Sequence, residues 1–450
     1  MTFDEILPAM ATILTEHKDV LEGLEWLLIN RDLNGRVRLI VPEAVKKEEE
    51  KRNRLKGMAA TIDQSFKPHA YPPNAGILYE SDRELACQGA AKILIPGHED
   101  KVWVVDRLAT VGNWGHIEAE TKGPPRIVFF SIKGGVGRST ALATTAWKLA
   151  QTGQRVLVLD LDLQSPGLST SLLAVERQPM YGVTDWLMED LVDNADAVFA
   201  SMLANSNLSH DGEIHVVPAH GAKPGEYVAK LGRVWMPKIQ QDGTREPWSS
   251  RLQRLLQTLE ERVRPDVILI DSRAGIDDMA SVCLTDLGPT LVLLFALEGN
   301  QTWSGYRILF EHWQRAGVAE QIRERLQIVS GLTPEIDRDS YLKGLRERAY
   351  QVFIDTLYDE IPPLDAIIRQ NPDGQRWTLP VGPSVEGWSF DEADESAPHY
   401  PWAVYWHRSF AGLNSLHGRL AGIDPREAIA VFGPLIAKIF DCLDLKMTYD

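Results

Sequence analysis

A glycine-rich stretch between an apolar segment and a helix-forming segment has the residue types needed to bind a phosphate group. Glycine has no Cβ, so such a loop can turn consecutive backbone N–H groups toward an anion, and the helix that follows adds its positive end. Ser139 could offer its hydroxyl to Mg²⁺, and Thr140 could offer one to an inner phosphate oxygen. A glycine-rich turn without a ligand is the alternative. The predicted phosphate-binding residues are Gly134, Gly135, Val136, Gly137, Arg138, Ser139 and Thr140.

Two features of this loop depart from the common phosphate loop G-x-x-x-x-G-K-[ST]. Ile132 occupies the position of the first glycine, and Lys133 precedes the glycines. Arg138 stands where the motif has lysine. A guanidinium group is planar and bulkier than an ammonium group, so it cannot replace lysine atom for atom. We therefore expect slow hydrolysis of a bound nucleotide, or binding without turnover.

Two apolar runs further along the chain end in acidic residues. Asp160 and Asp162 follow the run that starts at Val156, and Asp271 follows the run that starts at Val267. Ligands of parallel sheets bind beyond the carboxyl ends of the strands, and carboxylates there can hold Mg²⁺ or its waters. Adjacent carboxylates resist joint ionisation unless a cation is near. The alternative is that these acids are solvated turn formers.

The elements that would position these residues alternate between strands and helices from Arg126 onward. This pattern predicts an α/β fold with a mostly parallel sheet covered by helices on both faces. The candidate strands are Ile127–Ile132, Val156–Leu161, Ile214–Val217, Val267–Ile270, Thr290–Phe295 and Leu326–Val329. We predict a small α+β domain at residues 1–122 and the nucleotide-binding domain, with an aromatic C-terminal extension, at residues 123–450.

Periodicity predicts the elements of the first domain. Apolar residues at helical spacing favour a helix from Ile6 to Ile29, and alternation favours a strand at Arg36–Val41. The charged segment Glu43–Gln64 is typical of a solvated helix. Two further strands are expected at Ala91–Ile95 and Val102–Val105.

The tail holds a predicted helix and two segments with open alternatives. The helix is expected at Tyr341–Tyr358. The aromatic cluster Tyr400–His407 could stack on bases, but few basic residues lie beside it, so packing under a long loop is favoured. The amphipathic segment Ala428–Leu445 carries acids and is a poor match to a basic membrane helix.

Composition limits the partners and the compartment. The 450 residues carry a formal net charge of −16, which argues against coating DNA or anionic lipid with the whole surface, although a local basic patch stays open. No apolar run approaches the length of a membrane span. The three cysteines are far apart, and the first residues lack a leader pattern, so we expect a cytoplasmic protein in a reducing compartment.

The run Lys133-Gly-Gly-Val-Gly, followed by a basic and two hydroxyl residues, resembles the deviant phosphate loop of the ParA/MinD family of ATPases (SIMIBI class). The resemblance covers residues 126 to 330, and the arginine at position 138 suggests a divergent branch. In that family the early lysine reaches the partner's nucleotide across a dimer interface, so the resemblance implies ATP-dependent homodimerisation through Lys133. It also implies Mg-ATP as cofactor, with adenine preferred by analogy alone.

The same resemblance assigns roles to the acidic residues. Asp162 would be the switch residue that orients the attacking water, with Asp160 close to the magnesium. Asp271 matches the Walker B carboxylate, which binds Mg²⁺ through water. Arg273, in the second switch, could contact the terminal phosphate or the partner subunit, or it could form a surface ion pair.

Together these observations predict a Mg-ATP-dependent ATPase that switches between monomer and nucleotide-sandwich dimer, with Lys133, Arg138 and Asp162 as the catalytic residues. We expect it to regulate or position a second protein, with a regulatory or host-defence role favoured and movement on DNA less so. One alternative is a nucleotide-sensing scaffold that binds ATP and scarcely hydrolyses it. Another is a small-molecule kinase or amide ligase, for which the sequence offers no acceptor pocket.

Overall fold

A computed structural model describes residues 1–88, 90–95, 97–98, 100–108, 112–359, 387–410 and 416–447. The chain divides into two compact units. The first comprises Met1–Glu118 and His312–Ala319, and the second comprises Ala119–Glu311 and Glu320–Asp450. The domain boundary predicted after residue 122 stays a prediction.

The first unit contains a five-stranded mixed sheet in the order β3-β2-β1-β5-β4, in which β1 pairs in parallel with β5 and β2 with β3. Apolar residues of α1 and α3 cover one face of this sheet, with Ile29 and Leu39 among the strand residues of that core. The elements are α1 (Ile6–Glu16), α2 (Lys18–Glu22), β1 (Leu27–Arg31), β2 (Val37–Pro42), α3 (Glu49–Phe66), β3 (Ile77–Glu80), α4 (Arg83–Cys87), β4 (Ala91–Leu94) and β5 (Val102–Asp106).

The long helix predicted from Ile6 to Ile29 is wrong. The helical segment ends at Glu22, and Leu27–Arg31 forms the central strand β1. All five residues of β1 are buried, because β1 is the central strand and apolar clusters pack on both faces of the sheet. A fully buried apolar strand has no alternation to distinguish it from helical spacing, and pairing with distant strands decides its conformation. The strands predicted near β2, β4 and β5 are confirmed, and α3 lies within the charged segment predicted to be helical.

The second unit is built on an eight-stranded sheet in the order β15-β14-β13-β6-β12-β7-β9-β8. Every neighbouring pair is parallel except β8 with β9 at one edge. All six strands predicted from the sequence are present. The strands are β6 (Arg126–Ser131), β7 (Arg155–Asp160), β8 (Ala204–Asn205), β9 (Glu213–Val217), β12 (Val267–Asp271), β13 (Leu291–Ala296), β14 (Leu326–Thr333) and β15 (Trp402–Tyr405), with a separate hairpin of β10 (Lys238–Ile239) and β11 (Arg245–Glu246).

Helices cover both faces of this sheet, as the fold class predicts. Residues of α5 and α16 share one core with Phe129 and Phe295, whereas Tyr306 of α12 packs edge-on against Phe130 on the other face. The helices are α5 (Arg138–Gln151), α6 (Leu168–Leu172), α7 (Val183–Asp190), α8 (Asp196–Phe199), α9 (Tyr227–Leu231), α10 (Trp248–Val263), α11 (Asp278–Ser281), α12 (Asn300–Arg315), α13 (Ala319–Ile322), α14 (Arg338–Thr356), α15 (Leu416–Ala421) and α16 (Pro425–Cys442).

The aromatic cluster of the tail is part of the sheet. Trp402–Tyr405 forms the edge strand β15, parallel to β14, which corrects the expectation that the cluster packs under a long loop. Helix α16 packs against this strand and against α5. None of the helices within the described ranges combines the length and apolar character that crossing a bilayer requires.

Candidate functional site

The predicted phosphate loop connects the end of β6 to the start of α5, as the sequence predicts. Gly135 has φ +76° and Gly137 has φ +84°, a left-handed backbone conformation that glycine adopts without the strain imposed by a Cβ. Gly137 is the N-cap of α5. A Cβ placed on Gly134 or Gly135 would meet nothing within 4 Å, so the apex of the loop is open. The backbone therefore has the conformation and the space to receive an anion at a helix N-terminus.

Two glycines outside the loop allow it to pack closely, and the sequence analysis missed both. A Cβ on Gly331 of β14 would lie 2.3 Å from the carbonyl oxygen of Val136, and a Cβ on Gly305 of α12 would lie 2.4 Å from the Ile132 side chain. An isolated glycine in a strand often marks a place where another backbone segment approaches closely. The glycine at position 331 could therefore have indicated this contact from the sequence. The loop is thus supported on both sides by positions that accept only glycine.

Arg138 joins the ends of three neighbouring strands. It is 8% exposed, and its guanidinium lies among side chains at the carboxyl ends of β6, β7 and β12. Nε donates to Asp271 Oδ1 at 2.8 Å, Nη2 to Asp162 Oδ2 at 3.3 Å and Nη1 to Ser131 Oγ at 3.2 Å. Burial opposes the charge, but the two carboxylates outweigh it and raise the pKa of Arg138 above its ordinary value. The arginine is the counter-ion of this acidic cluster.

The two residues predicted to bind the metal are in direct contact. Ser139 Oγ donates to Asp271 Oδ2 at 2.6 Å, and Asp271 is 1% exposed. Both carboxylate oxygens of Asp271 are therefore used, one by the hydroxyl and one by Arg138. A hydroxyl and a carboxylate at this position are oxygen ligands of the kind Mg²⁺ prefers.

Asp160 is the most deeply buried acid of the cluster, with 0% exposure. It accepts backbone N–H bonds from Asp162 at 3.3 Å, Gly167 at 3.3 Å and Leu168 at 3.1 Å. Burial, followed by the charge of Asp271, raises the pKa of Asp160 to about 7. Burial also raises the pKa of Asp162, against the opposing effect of Arg138. Arg138 contacts two of these three acids, Asp162 and Asp271, and offsets their charge.

The remaining predicted residues lie apart from this cluster. Lys133 is exposed and has neither a hydrogen bond nor an ion pair with any residue in the described ranges. Arg273 pairs with Asp277 at 3.0 Å, and both side chains are partly buried. Its contact with phosphate or with a partner subunit stays a prediction. Thr140 lies in the first turn of α5, where its carbonyl accepts the Thr144 hydroxyl at 2.9 Å.

A comparison with models of protein families shows which family the chain is related to. A model described as the CobQ/CobB/MinD/ParA nucleotide binding domain (CbiA) matches residues 127–367, more than half of the 450 residues. The chain belongs to this family. The resemblance to ParA and MinD proteins is thereby confirmed at the level of the family, and the matched range contains the loop and all three acids described above.

Solved members of the CobQ/CobB/MinD/ParA group are similar to the chain at low identity. The cell division ATPase MinD of Pyrococcus furiosus is 19% identical, with 70% of this chain and 98% of that chain covered and a TM-score of 0.41. MinD of Pyrococcus horikoshii, complexed with Mg-ADP, is 18% identical, with 70% and 96% covered and a TM-score of 0.39. A ParA family ATPase of Chlorobium tepidum is 16% identical, with 50% and 81% covered and a TM-score of 0.35. No curated protein sequence matches the chain.

The residues of this CobQ/CobB/MinD/ParA domain fit a magnesium–phosphate group better than a bare metal ion. Within the described ranges, no three or more His, Cys, Asp or Glu side chains converge as a metal-binding group. Magnesium in nucleotide sites is typically held by one or two carboxylates together with phosphate oxygens and water. Ser139 and Asp271 have the oxygen atoms that the protein part of such a set requires, and the open apex of the loop leaves space for phosphates.

Asp160→Asn is expected to change how stability depends on pH. Because the pKa of Asp160 is raised to about 7 in the folded chain and is near 3.8 when unfolded, the folded chain binds more protons between these values. The contribution of Asp160 to stability is present below the unfolded pKa and is lost as pH rises through about 7, by at most about 1.4 kcal/mol per pH unit. Urea unfolding from pH 4.5 to 7.5 should show a stability difference, native minus variant, that becomes less favourable as pH rises. A difference independent of pH would contradict the shift.

Proposed function

We propose that the chain is a Mg-ATP-dependent ATPase that switches between a monomer and a nucleotide-sandwich homodimer and so regulates or positions a second protein. The observation that carries this proposal is the meeting of an open glycine loop with the Ser139–Asp271 contact at the start of α5. Membership of a nucleotide-binding domain family supports it.

Each residue of the site has a role in this proposal. The backbone N–H groups of residues 134–140 bind the phosphates, and Ser139 and Asp271 hold Mg²⁺, with Asp160 nearby. When bound, Mg²⁺ neutralises charge on the phosphate oxygens. Asp162 accepts a hydrogen bond from the attacking water and orients it. Arg138 would exchange its carboxylate partners for phosphate oxygens, and Lys133 would reach the nucleotide of the partner subunit.

A nucleotide-sensing scaffold is the second candidate, and the ion pairs of Arg138 favour it. The guanidinium is held by both Asp162 and Asp271, the residues proposed to orient water and to hold the metal. A nucleotide that binds without separating these pairs would leave Asp162 engaged and unable to act on water. Such a protein would bind ATP and release product slowly or not at all.

Calorimetry and multiple-turnover phosphate release test both candidates on the full chain. We expect ATP binding that requires Mg²⁺, with slow but steady phosphate release. Asp271→Asn should abolish the release, whereas Asp242→Asn, in an exposed turn, should leave it unchanged. Binding without release supports the scaffold, and absence of binding contradicts both candidates.

The partner is the least constrained part of the proposal. A second protein is favoured over DNA because the chain carries a formal net charge of −16, which opposes wide contact with a polyanion. A role in host defence is a hypothesis drawn from the acidic, non-partition-like architecture of the chain, and recognition of nucleic acid by a local basic patch is an alternative.

A further inference from the structure

A short helix outside the phosphate site is connected to the turn that carries Asp162. Helix α9 follows β9 and has no buried residue, so core packing does not hold it. Val228, at its second position, is 84% exposed. Two side chains tie the helix to the rest of the unit: Tyr227 through its hydroxyl, and Lys230 through an ion pair with Asp185 at 2.6 Å.

The Tyr227 hydroxyl donates to the backbone carbonyl of Leu163 at 2.7 Å. Leu163 directly follows Asp162 and is 1% exposed. Within the described ranges, this is the one hydrogen bond that the Leu163 carbonyl accepts. A buried carbonyl without a partner is costly, so the phenol fixes the peptide next to Asp162. Edge-on contact with His220, at 5.2 Å between ring centroids, holds the phenol ring itself.

The turn held by Tyr227 contains the contacts that orient the acids. Ser165 N–H donates to the Asp162 carboxylate at 3.2 Å, and the N–H groups of Gly167 and Leu168 donate to Asp160. A displacement of residue 163 would therefore change the position of the Asp162 side chain. Burial, assisted by nearby acids, raises the pKa of Tyr227, so the phenol stays protonated and remains a donor at neutral pH.

We propose that Tyr227 is a positioning residue, which holds the Asp162 turn through the Leu163 carbonyl and so sets the orientation of the proposed switch carboxylate. This inference rests on the proposed function for its effect on turnover, but the tether itself does not. Tyr227 does not touch the phosphate loop through any described hydrogen bond. Its loss should therefore change the rate of the chemical step and leave nucleotide affinity unchanged.

Tyr227→Phe removes only the oxygen atom of the tether and is the test of this proposal. Hydrogen exchange of the full nucleotide-free chain should become roughly three- to tenfold faster at the amides of residues 163–165, 167 and 168, the effect of losing one hydrogen bond. The kcat for ATP should fall by a similar factor, with the Kd for Mg-ATP unchanged.

A control variant separates the tether from a general loss of structure. Tyr341→Phe removes a half-buried phenol that accepts a hydrogen bond from the backbone N–H of Glu298. It should change neither exchange at residues 163–168 nor kcat.

The outcomes distinguish this inference from the proposed function. Unchanged exchange in Tyr227→Phe, or equally fast exchange in Tyr341→Phe, would overturn the tether. Faster exchange without any effect on a measurable kcat would overturn the positioning role. If the native chain hydrolyses no ATP, the proposed ATPase fails, and the exchange data alone decide whether the hydroxyl holds the turn.

Discussion

Replacing Arg138 by alanine is expected to lower the free energy of unfolding of the nucleotide-free protein by about 3 to 5 kcal/mol, the usual cost of removing one partner of a buried ion pair. The reason is the geometry at the strand ends. Arg138 is 8% exposed and is the counter-ion of Asp162 and Asp271. Without it, these two buried acids lose the side chain that offsets their charge. Urea unfolding monitored by circular dichroism measures the loss.

The loss should depend on pH and on magnesium. At pH 5.5 it should be smaller than at pH 7.5, because protonation relieves buried acids whose pKa values are raised. Magnesium should restore part of the stability at neutral pH if the acids accept a cation in place of the guanidinium. Arg155→Ala is the matched control: that arginine forms an exposed pair with Glu213, so its removal should cost about 1 kcal/mol or less. Equal stability of the two variants would contradict a buried counter-ion role.

The core of the second unit was predictable because its strands are unbroken apolar runs. β12 and β13 are buried throughout and β7 is buried from its second residue, so the strands and their parallel pairing could be inferred without contacts. The same runs predicted where Asp160 and Asp271 lie, because an acid that ends a buried parallel strand lies at the carboxyl end of the sheet. Composition and order were sufficient here.

Elements whose state depends on distant partners were not predictable. Residues of β1 could form either a helix or a strand, and pairing with β2 and β5 decided for the strand. In the sequence, Arg31 lies just beyond the helix predicted from Ile6 to Ile29. In the fold it is 5% exposed and pairs with Asp106 at 2.5 Å. The partner is 75 residues away, and local spacing carries no information about it.

The segment 233–243 of the second unit also has contacts with distant residues that the sequence does not reveal. Its proline, polar residues and closing glycine favour an exposed loop, yet Lys238 is 7% exposed and pairs with Asp190, which is also the partner of the fully buried Arg251. Charged residues are rarely buried unless they are paired. The sequence alone does not show that Lys238 has a partner, so it predicts an exposed side chain.

At the site, residue identities were predictable and their contacts were not. The motif located Arg138 but implied a phosphate partner, whereas the folded chain directs it to Asp162 and Asp271. The long side chain of Arg138 can reach several acceptors, and only the folded sheet brings Asp162 and Asp271 together beside it. The supporting role of Gly331 likewise depends on β14 lying against the loop.

The second large effect is expected for Lys133→Ala, in the association of two chains. A non-hydrolysable ATP analogue with Mg²⁺ should double the mass of the native chain in light scattering, and ADP should not. Lys133 is exposed at the open apex of the loop and has no partner among the described residues, so its ammonium group can reach an anion on another molecule. Loss of a charge that becomes buried against phosphate in an interface costs about 2 kcal/mol or more, so the variant dimer should be weaker by roughly thirtyfold or more.

Lys223→Ala is the control for this prediction, because Lys223 is likewise exposed and has no ion pair in the described ranges, but lies far from the loop in sequence. It should dimerise as the native chain does. Calorimetry on Lys133→Ala should still detect nucleotide, since the amides of residues 134–140 and the Ser139–Asp271 pair remain. A variant that binds the analogue but stays monomeric would assign Lys133 to the partner's nucleotide. A native chain whose mass is the same with ADP and with the analogue would rule out the dimer switch and leave the nucleotide-sensing scaffold as the better account of the site.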